Sequence, residues 1–110
     1  MTNDVAGRIA PSELPEPPDG LSKRGRKMWN EAVEQFVFCN SELAALESTL
    51  RALDRAEEAR AMVEREGLTV TTASSGAVRP HPACAIEMQA RKEFRIGWSR
   101  LGLIDASGER

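Results

Sequence analysis

The sequence predicts a mainly α-helical fold: three helices, of which the second and third form a long antiparallel hairpin with a short β-hairpin between them. Three observations predict it. Apolar residues recur at three- and four-residue steps over residues 41–66 and 82–101, the spacing of one helical face. Between those spans, over residues 68–80, the period drops to two around a Ser-Ser-Gly turn. Gly67, Pro82 and Gly102 stand at the boundaries of these spans, where helices stop and start.

Taken in order, residues 1–20 read as a flexible arm. Pro11, Pro15, Pro17 and Pro18 withhold backbone donors, and Asp19-Gly20 is a turn pair. A first helix is expected over residues 22–38, capped by Ser22, with Met28, Trp29, Ala32, Val33, Phe36 and Val37 on one stripe. Asn40 or Ser41 then caps the second helix, and Glu42 complements the dipole in its first turn. That helix, residues 41–66, is rich in Ala and Leu, both strong helix formers. Its Leu43, Leu46, Leu50 and Leu53 repeat at 3-4-3 spacing, a heptad-like seam. Glu47–Arg51 and Arg60–Glu64 are i,i+4 pairs for its wet side. At 1.5 Å per residue it runs about 39 Å. That is long for a globule with a radius of gyration of roughly 13 Å, so part of it is expected to meet another helix outside the subunit's own core.

Over residues 68–80, Leu68, Val70 and Thr72 alternate with Thr69 and Thr71, Ser74-Ser75-Gly76 turns, and Ala77-Val78-Arg79 returns. A lone hairpin is marginal, so it should pack on a helix or pair with a neighbouring subunit. The third helix opens at His81-Pro82 and carries Ala83, Ile86, Ala90, Phe94, Trp98 and Leu101 on one stripe. Gly102 stops it and Leu103 folds back on the last turn. Residues 21–103 thus form one helical domain, and residues 104–110 a polar tail.

Composition narrows the function. The chain has 110 residues, 41% apolar but only 5% aromatic. A core of this size is modest, which favours self-association. The net charge of −2 excludes a protein that coats nucleic acid through its overall charge. The distribution is uneven: residues 41–66 hold four bases and seven acids, residues 67–110 six and four. Any nucleic-acid role must come from a local patch, or from one patch repeated around an oligomer. Met1 to Pro18 has no apolar core of the secretory kind, no run of about 18 apolar residues exists, and two cysteines suit a reducing cytosol better than a disulfide scaffold. A cytoplasmic protein without a membrane span is expected.

Several groupings could bear chemistry. His81 and Cys84 stand as H-x-x-C, with Cys39 as a third candidate ligand, but zinc needs four ligands or three and a water. The plainer reading is a capping or turn histidine and two buried thiols. No phosphate-loop or dinucleotide motif is present. Glu57, Glu58, Glu64 and Glu66 read as a solvated face. Trp29 and Trp98 lie on apolar stripes and read as core anchors rather than stacking platforms. No catalytic residue, metal or cofactor is expected. The densest cationic run is Lys23-Arg24-Gly25-Arg26-Lys27. Four bases at a helix start oppose its dipole, which points to phosphate contacts, against the alternative of a solvated face. Arg91, Lys92 and Arg95 form a second basic stretch, for which a Glu87–Arg91 pair offers an ordinary explanation.

The order of these features resembles the small subunit of tailed-phage terminase, in the family of short chains with a Pro-rich N-terminal arm. The residues carrying the resemblance are Pro15-Glu16-Pro17-Pro18 followed by Leu21-Ser22 and the Trp29 helix, the helix from Leu43 to Leu53, Glu66-Gly67 with a Ser-Gly hairpin, Arg79-Pro80-His81-Pro82, Ala90-Arg91, and Leu101-Gly102-Leu103. His81 departs from the Asn more usual before that proline, and the C-terminal tail is short. The resemblance implies a non-enzymatic subunit of the host-cell cytoplasm that forms a homo-oligomeric ring, binds double-stranded viral DNA and presents it to a separate large subunit holding ATPase and nuclease. On that reading DNA meets Lys23, Arg24, Arg26 and Lys27, assisted by Arg8 on the arm. Oligomer and core contacts fall to Trp29, Leu43, Leu46, Leu50, Leu53, Phe94, Trp98 and Leu101. The competing expectations are a helical protein-binding scaffold without DNA contact and a thiol- or metal-dependent enzyme using Cys39, His81 and Cys84.

Overall fold

A computed structural model describes residues 13–103. It contains helix α1 (Lys23–Gln35), helix α2 (Asn40–Glu66), strands β1 (Thr69–Thr71) and β2 (Val78–Pro80), and helix α3 (Pro82–Arg100). Helices α2 and α3 run antiparallel against each other, α1 packs across one end of the pair, and the β-hairpin closes the other. The molecule is long and thin, 63 × 27 × 23 Å, with a radius of gyration of 17.8 Å. A compact domain of about 100 residues has a radius near 13 Å.

Two packing zones explain this shape. At the broad end, Leu21, Trp29, Ala32, Val33, Leu46, Leu50 and Leu103 form a buried cluster, with Leu43, Phe94, Trp98 and Leu101 packed against it. Phe94 and Trp98, one turn apart on α3, stack with centroids 5.4 Å apart. Along the rest of the hairpin the contact is made by small residues. Thr49, Ala52, Ala56, Ala59 and Val63 are buried on α2 at 3-4-3-4 spacing, and Ala83 and Ala90 are buried on α3. Gly97 continues the α3 series by seven residues, and a Cβ there would collide with the Thr49 hydroxyl. Two heptad-spaced rows of small side chains let the helix axes approach closely.

The Leu seam, assigned to oligomer or core contacts, lies in the core of the single chain. Leu46, Leu50 and Leu53 are buried within the single chain, and Leu43 packs on the same core. Exposed apolar side chains lie elsewhere: Met62, Ile86, Met88 and Ile96 on the helical hairpin, Leu68 and Val78 at the β-hairpin, and Val37 between α1 and α2.

Helix α1 ends at Gln35, three residues earlier than expected, because Phe36 is extended. An extended chain points every second side chain the same way. Phe36 and Phe38 therefore both reach the core, rings 6.0 Å apart, whereas in a helix they would diverge by about 200°. Cys39 rather than Asn40 or Ser41 takes the α2 cap position, and its backbone N–H donates to Glu42 at 2.9 Å. At the far end of α3, the Leu103 N–H donates to the Trp98 carbonyl and the Gly102 N–H to that of Ser99, a Schellman end with Gly102 at φ 78°. The N-terminal segment is not free over residues 13–20. The Trp29 indole donates to the Pro15 carbonyl at 2.9 Å, and Arg51 donates to that of Asp19 at 2.9 Å. The remainder of the expected arm, with Arg8, and the tail of residues 104–110 lie outside the described residues.

Candidate nucleic-acid interface

The basic run occupies the first turns of α1, and the chain resolves its conflict with the helix dipole from outside the helix. No acid stands in the first turn of α1. Asp54 of α2 supplies one: its carboxylate accepts from the Ser22 backbone N–H at 2.7 Å and from the Ser22 hydroxyl at 2.6 Å. The same hydroxyl oxygen accepts from the Gly25 N–H at 2.9 Å, the N-cap bond. A negative charge thus sits at the positive end of α1 although four bases surround it. Gly25 is where the two helices touch: a Cβ there would lie 3.3 Å from the Asp54 carboxylate and 3.4 Å from Leu21.

The four bases differ in what holds them. Arg24 donates to Glu57 of α2 at 2.7 Å, Arg26 to the Leu21 carbonyl at 2.7 Å, and Lys27 to Glu31 at 2.8 Å. Lys23 has no hydrogen bond or ion pair among the described residues. The Arg24 and Lys27 side chains are 62% and 74% exposed. Ion pairs this wet are worth about 0–1 kcal/mol, so a phosphate can displace the acid in each. On α3, Arg91 donates to Glu87 at 2.8 Å, as its spacing suggested, while Lys92 and Arg95 are exposed. Trp29, Phe94, Trp98 and Leu101 all lie in or against the broad-end core.

Sequence reasoning missed Asp54, whose role depends on a chain segment some thirty residues away; its one available signal was an acid directly after the Leu seam. Glu57 was read only as part of a solvated face.

The thiol and imidazole groups do not converge. Cys39 precedes α2, whereas His81 bonds Glu66 at its far end, a separation of about 40 Å along the helix. Among the described residues, no group of three His, Cys, Asp or Glu side chains could hold a metal ion. His81 caps α3 instead. Its Nδ1 accepts from the Ala83 N–H at 3.0 Å, which leaves the proton on Nε2 to donate to Glu66 at 2.7 Å. No helix among the described residues is long and apolar enough to cross a membrane.

The family model for the small subunit of phage terminase matches residues 25–110, over three quarters of the chain. No curated protein and no solved structure matches it. The match spans most of α1, both helices of the hairpin and the strands between them, so the chain belongs to the phage terminase small-subunit family.

Proposed function

We propose that this protein is the non-catalytic DNA-recognition subunit of a phage packaging machine, assembling as a homo-oligomeric ring that binds viral DNA and hands it to the large ATPase and nuclease subunit. The family match over residues 25–110 carries this reading. The shape supports assembly: a single subunit this thin leaves Met62, Ile86 and Ile96 exposed along the helical hairpin, and a second copy laid beside it would cover them. A weak basic patch repeated around such an oligomer gains avidity that one copy lacks.

Native mass spectrometry of the full chain, with and without duplex DNA, tests stoichiometry and binding together. A closed oligomer that takes up duplex is expected; a monomer at micromolar concentration removes the ring. Changing Lys23, Arg24, Arg26 and Lys27 to Ala should weaken binding and flatten its salt dependence by roughly 0.9 log unit per lost phosphate contact. Because Arg26 also clamps the Leu21 carbonyl, the Lys23→Ala/Lys27→Ala pair serves as a milder control.

Two observations favour a second reading, a scaffold that binds only protein: Arg24 and Lys27 are paired with the chain's own acids, and the net charge is −2. Absence of a gel shift at low salt and high protein concentration would select it.

A further inference from the structure

The two basic stretches, far apart in the chain, meet in the fold. Arg24 of α1 and Arg91 of α3 reach the same carboxylate oxygen, Oε2 of Glu57, at 2.7 Å and 3.8 Å. Two guanidinium groups converging on one oxygen is the arrangement that also holds phosphate, since the planar donor forks fit either anion. All three side chains are well exposed, between 38% and 62%, so an incoming anion can reach them. The neighbouring acids are Glu87, 2.8 Å from Arg91 and 4.0 Å from Arg60, and Asp54 and Glu58, which line the same groove as Arg24 and Glu57. Arg60 in turn lies 3.3 Å from Glu64. Beyond this network, Lys92 and Arg95 have no hydrogen bond or ion pair among the described residues. Arg95 follows Arg91 by one helical turn and Lys92 by three residues, so Arg95 neighbours both on the surface of α3. Their mutual repulsion is relieved by an anion.

We propose that α1 and α3 form one phosphate-binding face, in which Glu57 occupies the seat between Arg24 and Arg91 that a backbone phosphate of duplex DNA takes on binding, and Lys92 and Arg95 continue the track along α3. This rests on the DNA-binding reading above and names residues for it that the basic run alone does not include. In the free protein Glu57 is an internal counterion. It holds the two guanidinium groups in place, which lowers the ordering cost of binding, and it competes with weak anions for them. The proposal therefore carries a sign that a structural ion pair does not: removing the Glu57 charge strengthens DNA binding.

The test uses the full chain, a short fluorescein-labelled DNA duplex and anisotropy titrations at several salt concentrations. Glu57→Gln should bind about threefold tighter, the scale of an exposed ion pair. The Lys92→Ala/Arg95→Ala variant should bind at least about tenfold more weakly, with a log–log salt slope shallower by roughly 1.8, two phosphate contacts at 0.9 each. Circular dichroism confirms that both variants keep their helices. Glu57→Gln binding no tighter than the unchanged protein overturns the seat. If the unchanged protein binds duplex and neither variant alters affinity or slope, the face is refuted while the DNA-binding reading stands. If the unchanged protein binds no duplex even at low salt, both fall.

Discussion

Asp54 does two jobs with one carboxylate, docking α1 on α2 and offsetting four bases at the start of α1. Asp54→Ala removes both acceptors from Ser22 and should cost about 1–3 kcal/mol, measured by urea denaturation, with α1 detaching first in hydrogen exchange. Gly97 is the matching test for the hairpin. Its Cα faces Thr49 so closely that Gly97→Ala drives a methyl into the Thr49 hydroxyl. The expected loss is about 1–3 kcal/mol, the usual range for overpacking. Thr49→Ala in the same chain should recover part of it, because the two residues are coupled. Equal losses from the single and double variants would show that the contact is not the cause.

At the scale of elements, α2 and α3 could be read from the sequence because their periodicity, caps and stops agree. Ser22, His81, Pro82 and Gly102 each act where their chemistry indicated. What could not be read depends on partners. Leu residues dominate a periodicity argument, so the buried row of Thr49, Ala52, Ala56 and Ala59 was hidden behind Leu43, Leu46, Leu50 and Leu53. The extended Phe36–Phe38 segment was hidden because only the core decides which way two aromatics must point. The basic run was visible as charge, but Asp54 and Glu57, which hold it, come from another helix. Across the hairpin, Arg55 donates to Glu93 at 2.8 Å. The Gln89 side-chain amide, and then Arg55, hold the Glu93 carboxyl below its ordinary value of 4.5. A carboxylate depressed in the folded state stabilises above its unfolded pKa, and that contribution fades as pH falls through the folded value. Glu93→Gln should therefore lose less stability than the unchanged protein on acidification below about pH 4.5, read from thermal melts across an acid series. Parallel acid limbs for the two proteins would contradict this.

For the whole molecule, thinness is the governing property. Most of the large apolar residues gather at the broad end, and the hairpin beyond it is held by methyl groups and exposed ion pairs. Such a subunit gains from covering Met62, Ile86 and Ile96 with a neighbour. If assembly does so, its melting temperature should rise with protein concentration, because association stabilises only the folded form. Replacing those three residues with Ser or Gln should abolish the concentration dependence while leaving a folded monomer by circular dichroism.

The Glu66–His81 bond ties the end of α2 to the start of α3, and the His81 N–H donates to the Leu68 carbonyl at 2.7 Å beside it. With small-residue rows packed along its length, the hairpin is a long, closely packed arm. A rotation about the broad end, where α1 carries the basic run, would be carried to its tip in proportion to that length. A tilt of roughly 5° there displaces the β-hairpin tip by about 3.5 Å, given an arm of about 40 Å. Movement at the base is thus converted into a displacement as large as an atomic contact at Leu68 and Val78, far from where it began.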